Sequence, residues 1–183
     1  MASLNINIKL YTALLSATLM VGCGGDPKPE NWQQKYKKVQ NKYTSMSEEQ
    51  QIEALKRDWQ YIHFMKNPST KVQLAALQIN PEAIADIDNP SHEAQMMAVE
   101  KLINGESYSM TLARELDKFD EEAQRAAVSK SPQIIKYIPY PSEKVQLAAI
   151  KKNPWVARSI GNLTPKAKAE AIRLQPKLKE ILH

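Results

Sequence analysis

The chain has 183 residues, a formal charge of +5 and a single cysteine. That length suits about one domain, the lone cysteine excludes an internal disulfide, and so mild a basic excess leaves no footprint for nucleic acid. Gly is scarce, Pro is frequent, Phe occurs twice, and Ala, Leu, Ile, Lys and Gln dominate, a mix that favours helices with short punctuated connections over a sheet.

Residues 1–22 read as an export signal. Lys9 and the amino terminus supply a positive end, and Leu10 to Val21 is an uncharged run of twelve residues. A transmembrane helix needs roughly 20 apolar residues, so this run has the length of a signal-peptide apolar region. It closes on Leu19-Met20-Val21-Gly22-Cys23. That ending resembles the lipobox of bacterial lipoproteins, with Met20 where the family usually has Leu. The resemblance implies cleavage before Cys23, lipidation of its thiol, and attachment to a membrane through three acyl chains, where stable anchoring takes more than one. In a Gram-negative host, Gly24 rather than Asp after the cysteine implies delivery to the outer membrane, facing the periplasm. The competing reading is a buried free thiol that follows an apolar segment.

Beyond the signal lie 161 residues with 24 Lys and Arg against 20 Asp and Glu, one domain with a mild leaning toward anionic headgroups. Residues 23–31 form the lipidated cysteine and a Gly/Pro-rich flexible tether. Over residues 32–46, Trp32, Tyr36, Val39, Tyr43 and Met46 follow a spacing of 4, 3, 4, 3, one stripe of a helix with Lys35, Lys37, Lys38 and Lys42 on its other faces. Two readings compete: a cap laying its aromatic stripe over the domain that follows, or a basic amphipathic helix touching lipid or a partner helix. A seam this short makes a poor coiled coil, which favours the cap.

From residue 47 onward the sequence repeats. Lys71-Val72-Gln73-Leu74-Ala75-Ala76-Leu77 returns as Lys144-Val145-Gln146-Leu147-Ala148-Ala149-Ile150. Six units start at Ser47, Ser69, Ser91, Asp120, Ser142 and Thr164, spaced 22, 22, 29, 22 and 22, all residues suited to capping a helix N-terminus. Four residues on stands Gln51, Gln73, Gln95, Gln124, Gln146 or Lys168, and three further on stands Ala54, Ala76, Ala98, Ala127, Ala149 or Ala171. Leu55, Leu77, Val99, Val128, Ile150 and Ile172 follow. Pro81, Pro132, Pro154 and Pro176 each follow a polar residue and suit the first position of a second short helix. Six residues later come Ile87, Ile138, Ile160 and Leu182.

The long third unit fits the template once a seven-residue insertion near Asn104-Gly105-Glu106-Ser107-Tyr108 is allowed; Met110 then takes the Pro position and Leu116 the apolar one. The first unit has Trp59 at the Pro position, so its two helices are expected to run together. A helix of about ten residues and one of about seven cannot bury a core alone, but stacked units can share one. The fold class expected is all-α: an α-solenoid of about six short helical hairpins, HEAT-like, with units near 47–68, 69–90, 91–119, 120–141, 142–163 and 164–183.

The unit Pro-Ser-x-x-Val-Gln-x-Ala-Ala-[Leu/Ile]-x-x-Asn-Pro-x-x-[Ile/Val] resembles an uncharacterised family of short helical repeats in bacterial and bacteriophage proteins, best at 67–87 and 139–160. The resemblance implies a helical array, often phage- or mobile-element-encoded, and brings no catalytic residues.

The search for chemistry finds little. His63, His92 and His183 lack a second His or a Cys at metal-ligand spacing, so no metal or other cofactor is expected. Asp86, Asp88, Asp117, Asp120, Glu121 and Glu122 sit at helix junctions, where the helix dipole explains acids in a first turn. Phosphate loops and nucleophile elbows are missing from the sequence. The Gln column lies at the edge of the buried face; a ladder of amides between units is preferred to a ligand-binding row. Features that the repeat does not absorb carry the binding expectations: Trp32, Tyr36 and Tyr43 on the first helix, Tyr108 at the tip of the insertion, and Trp155 beside Pro154, for which half-buried packing is the alternative.

The resulting expectation is a non-enzymatic, lipid-anchored envelope protein whose repeats dock on another envelope or outer-membrane protein, with no small-molecule substrate. A specific version is a phage- or prophage-encoded lipoprotein that blocks a receptor and excludes superinfection. The alternative is a structural or assembly lipoprotein of the envelope or of a phage lysis apparatus. An enzyme working through His63 or His92 is the third class.

Overall fold

The computed structural model describes residues 30–182 apart from Glu106. The apolar run and Cys23 lie outside the described residues. Two compact units divide the chain, Met1–Lys35 and Tyr36–His183, and the repeats fall in the second. The fold is all-α, with one two-stranded hairpin as its only sheet among the described residues.

The first helix, Glu30–Thr44, takes two residues from the expected tether and stops two short of Met46. Six N-caps follow where the repeat puts them. Ser47, Ser69, Ser91, Asp120, Ser142 and Thr164 each hold extended backbone, and each side-chain oxygen accepts from the N–H three residues on. Such a cap satisfies one of the donors left orphaned at a helix start. The long helices are Glu48–Arg57, Thr70–Ile79, His92–Leu102, Glu121–Lys130, Glu143–Lys152 and Pro165–Leu174.

What stops them is local. Asn80, Ser131, Asn153 and Gln175 precede prolines, and a residue before Pro is pushed out of the α region; all four are extended. The first unit corrects the expectation of one continuous helix. Asp58 has no Pro after it, yet it is extended at φ −159° and ψ 110°. Its carboxylate accepts from the Gln60 N–H at 3.0 Å, as the Asn80 amide accepts from Glu82 and the Asn153 amide from Trp155. Capping does here what proline does elsewhere.

The second helices are 3-10 rather than α: Trp59–Phe64, Pro81–Asp86, Pro132–Tyr137, Pro154–Ser159 and Pro176–Glu180. A 3-10 turn has three residues, so positions i and i+3 eclipse. Ile62 and Met65, Ile84 and Ile87, Ile135 and Ile138, and Ala157 and Ile160 are such pairs, and all eight are buried. A 3.6-residue turn would leave the two about 60° apart on the same face, where the 3-10 turn lines them up. In the third unit the insertion forms an antiparallel hairpin, with Ile103 opposite Tyr108 and Asn104 opposite Ser107. Gly105 turns it at φ +58°, a region that costs a side-chain-bearing residue about 1–2 kcal/mol. Met110 then starts a six-residue α-helix, capped by Ser109, and Leu116 is buried as the template requires.

Packing follows chain order. Each long helix lies on the next, and from the first unit to the fifth the short helices contact one another in the same sequence. The Ala column is buried in every unit, and the residue after it is buried in five; Ile172 of the last unit is half-buried. Alanine at the contact lets adjacent helix backbones approach within the 8–10 Å of ordinary helix packing. Each fully buried Leu or Ile between the layers contributes about 1.5–3 kcal/mol, so the core is shared along the repeats instead of gathered in one place.

Candidate functional site

The Gln column is the most exacting feature of the joints between units. The Gln146 amide donates to the Pro141 and Asn162 carbonyls at 2.9 and 3.1 Å, and its oxygen accepts from the Thr164 N–H at 2.9 Å. Gln73 does the same with Pro68, Asn89 and Ser91, and Gln95 with Pro90 and Asp120. Each amide thus ties the loop before its own helix to the first residue of the next unit. The expected ladder between units exists, but its rungs run from side chain to backbone and not from amide to amide. Buried carbonyls and N–H groups need partners, and these loops have no sheet or helix to supply them.

A second set of joints runs along the N-terminal ends of the long helices. Glu48 accepts from the Ser69 hydroxyl and pairs with Lys71 at 2.9 Å. Glu121 accepts from the Ser142 hydroxyl at 2.7 Å and pairs with Lys144 at 2.9 Å, and Glu143 pairs with Lys166 at 3.4 Å. In each case the residue after one cap meets the next cap or the second residue after it. Between units three and four the signs reverse: His92 Nδ1 lies 2.8 Å from Asp120, and Nε2 lies 3.9 Å from Glu122. The Asp120 hydrogen bond, helped by the charges of Asp120, Glu122 and Glu93, raises the His92 imidazole above its usual range. Burial pushes the Asp120 carboxyl up, but the Ala123 N–H and His92 outweigh it and hold it down.

The aromatic stripe of the first helix packs as a cap. Tyr43 is buried and stacks on Tyr61 with ring centroids 4.7 Å apart; burial and the Tyr61 hydrogen bond push its phenol up to about 12. Tyr36 lies on Phe64 at 5.5 Å. Its hydroxyl meets His63 Nε2 at 3.3 Å, while His63 Nδ1 meets Asp86 at 3.2 Å. This chain has the outline of a proton relay. Burial, with Asp88 and Asp86, raises the Tyr36 phenol, so the hydroxyl stays protonated and is a poor nucleophile at neutral pH. Both ring nitrogens of His63 are engaged in holding the cap helix to units one and two. Tyr36 and Tyr43 therefore serve packing first, which is the capping reading. The side chain of Trp32 and the whole of Cys23 lie outside the described residues.

Tyr108 is not at the tip of the insertion. The turn at Gly105 is the tip, and Tyr108 sits back on the second strand, half-buried, its ring 5.9 Å from that of Tyr137 in an edge-on contact. The period-two alternation of a strand turns Ser107 to solvent and Tyr108 inward. The Tyr137 hydroxyl donates to Met110 Sδ at 3.8 Å, and Lys136 lies over the Tyr137 ring. Trp155 is 38 % exposed, so more than half of its surface is covered. Among the described residues no group of three or more His, Cys, Asp or Glu is placed to hold a metal ion. No described helix is long and apolar enough to cross a membrane.

The chain defines a class: an all-α array of units, each an α-helix followed by a short second helix, with buried amides and charge pairs at the joints between neighbours. No family model, curated protein or solved structure matches it. The role of Asp58 and the pairing of post-cap residues across units escape inspection of single units. A signal for both existed: Asp58 shares the repeat position of Asn80 and Asn153, and Glu48 and Glu121 precede Lys71 and Lys144 by 23 residues.

Proposed function

We propose that this is a lipid-anchored, non-enzymatic protein of the cell envelope, an α-solenoid whose repeat surface binds another envelope protein. The observation that carries the reading is the use to which the reactive side chains are put. His63, His92, Asp86 and Asp120 join neighbouring elements, and the amide column is consumed in the same way. The N-terminal apolar run closing on the single cysteine, Cys23, supports the anchor. The likeness of the unit to repeats of phage proteins supports a narrower version, a lipoprotein that blocks a receptor at the outer membrane against superinfection.

Labelled palmitate is expected to enter the wild-type chain and not Cys23→Ala; equal labelling of both removes the anchor. Pull-down from crosslinked envelopes is expected to recover one receptor-like outer-membrane protein. Recovery of cell-wall material or of an assembly machine instead would overturn the receptor-blocking version in favour of a structural role.

A further inference from the structure

The residue ten positions after each cap is Arg57, Ile79, Lys101, Lys130, Lys152 or Leu174. All six are exposed. They close the long helices, and those helices lie side by side, with the N-terminal ends of units one and two, and of units three to six, joined by ion pairs. The six side chains therefore form one row along the opposite edge, with neighbours about 8–10 Å apart where adjacent helices pack.

The two edges differ in more than sign. On the N-terminal edge the acids Glu48, Glu121 and Glu143 are paired across units. In the row ten residues on, none of the four cations forms an ion pair among the described residues. Favourable interaction with the helix dipole accounts for a cation at a helix end, but it does not account for the other members. Ile79 is 46 % and Leu174 38 % exposed, and Trp155, three residues after Lys152, is also 38 % exposed. A large apolar side chain left in water at the same repeat position as a lysine has no role in either the joints or the core. The C-terminal half reinforces the bias: residues 120–183 hold 12 Lys and Arg against 6 Asp and Glu, whereas 47–119 hold 7 against 12.

We infer that this edge docks on an anionic lipid surface. Unpaired cations in a row suit phosphate headgroups, and each Lys or Arg near such a surface strengthens binding roughly fivefold. Isolated Ile, Leu and Trp side chains among them suit the headgroup boundary, where amphipathic surfaces bury their apolar members. An acidic protein partner would satisfy the cations and leave the apolar residues without a counterpart unless it supplied pockets at the same spacing. The inference deepens the anchored reading and rests on it for the presence of a membrane: the acyl chains would hold the chain at the bilayer, and this edge would set which face the repeats turn away from it.

The test separates the two. Residues 24–183, which contain the whole compact unit and its core but no lipid, are sedimented with vesicles of phosphatidylcholine alone and of phosphatidylcholine with about a third phosphatidylglycerol. Binding is expected only to the anionic vesicles, weakening at high salt as the Debye length shrinks to about 3 Å at 1 M. The triple variant Lys101→Gln/Lys130→Gln/Lys152→Gln is expected to lose about a hundredfold in partition, from three cations at roughly fivefold each. The pair Lys71→Gln/Lys144→Gln, on the opposite edge, is expected to bind as the wild type does. The circular dichroism of each variant shows that the helices persist. No binding to anionic vesicles, equal binding to both kinds, or an unaffected triple variant overturns the inference. Failure of Cys23 to take palmitate overturns the anchor alone, because the vesicle experiment contains no acyl chain.

Discussion

Replacing Gln146 by Ala should be among the most damaging single changes in this protein. The side chain is fully buried and its removal strands two carbonyls, Pro141 and Asn162, and one N–H, Thr164. An intramolecular hydrogen bond is worth about 1 kcal/mol net, and a buried group left unpaired costs about 1–3 kcal/mol. Water reaching the half-buried Thr164 end recovers part of that, so a loss of about 3–4 kcal/mol is expected from the same principle. Against a total of about 5–15 kcal/mol for a domain, that loss is large. Because Gln146 bonds to Pro141 at the end of unit four, to Asn162 within its own unit and to Thr164 at the start of unit six, the joints on both sides of unit five should loosen first. Urea denaturation followed by circular dichroism measures the loss, and amide hydrogen exchange locates it. Gln124→Ala is the internal comparison: Gln124 is half-buried, with one bond of 3.0 Å to Leu116 and one of 3.5 Å to Asp117, so about 1 kcal/mol is expected. Equal losses at the two positions, or less than about 1 kcal/mol at Gln146, would refute the argument that the column ties one unit to the next.

Asp58→Ala removes the cap that separates the two helices of the first unit and should cost about 1 kcal/mol in urea denaturation, with Asp58→Asn nearly neutral; an unchanged midpoint for Asp58→Ala would show that the break is imposed by packing. The His92 joint predicts a pH dependence. Its folded pKa is raised above 6.5, chiefly by the Asp120 hydrogen bond, so the stability it contributes is full below about 6.5 and is lost as pH rises through the raised value. The thermal midpoints of wild type and His92→Gln should therefore converge as pH rises from 6 to 9, and an imidazole resonance titrating at or below 6.5 would contradict the geometry.

Much of this molecule is written in its sequence because a repeat states the same instruction several times. Ser69, Ser91 and Ser142 mark helix starts, Pro81, Pro132 and Pro154 mark where the second helix begins, and the Ala column marks the packed face. All of these act over a few residues, through capping, ring geometry and side-chain size, so local pattern reveals them. The all-α class follows from them.

The rest depended on which residues meet across units. Whether Trp59–Phe64 continues the preceding helix turned on one Asp58 hydrogen bond, and nothing in the local pattern told the 3-10 form of the second helices from a short α-helix, because residues three apart share a face in both. Tyr108 belongs to an insertion that follows no column, so the hairpin's pleat and the nearby Tyr137 ring decided its direction. The Gln73, Gln95 and Gln146 amide oxygens and the post-cap charges have partners 18 to 28 residues away, beyond the reach of any helical periodicity. Sequence alone determined the units; tertiary contact decided how their polar side chains are spent, because a hydrogen bond is fixed by proximity in space and a cap by proximity along the chain.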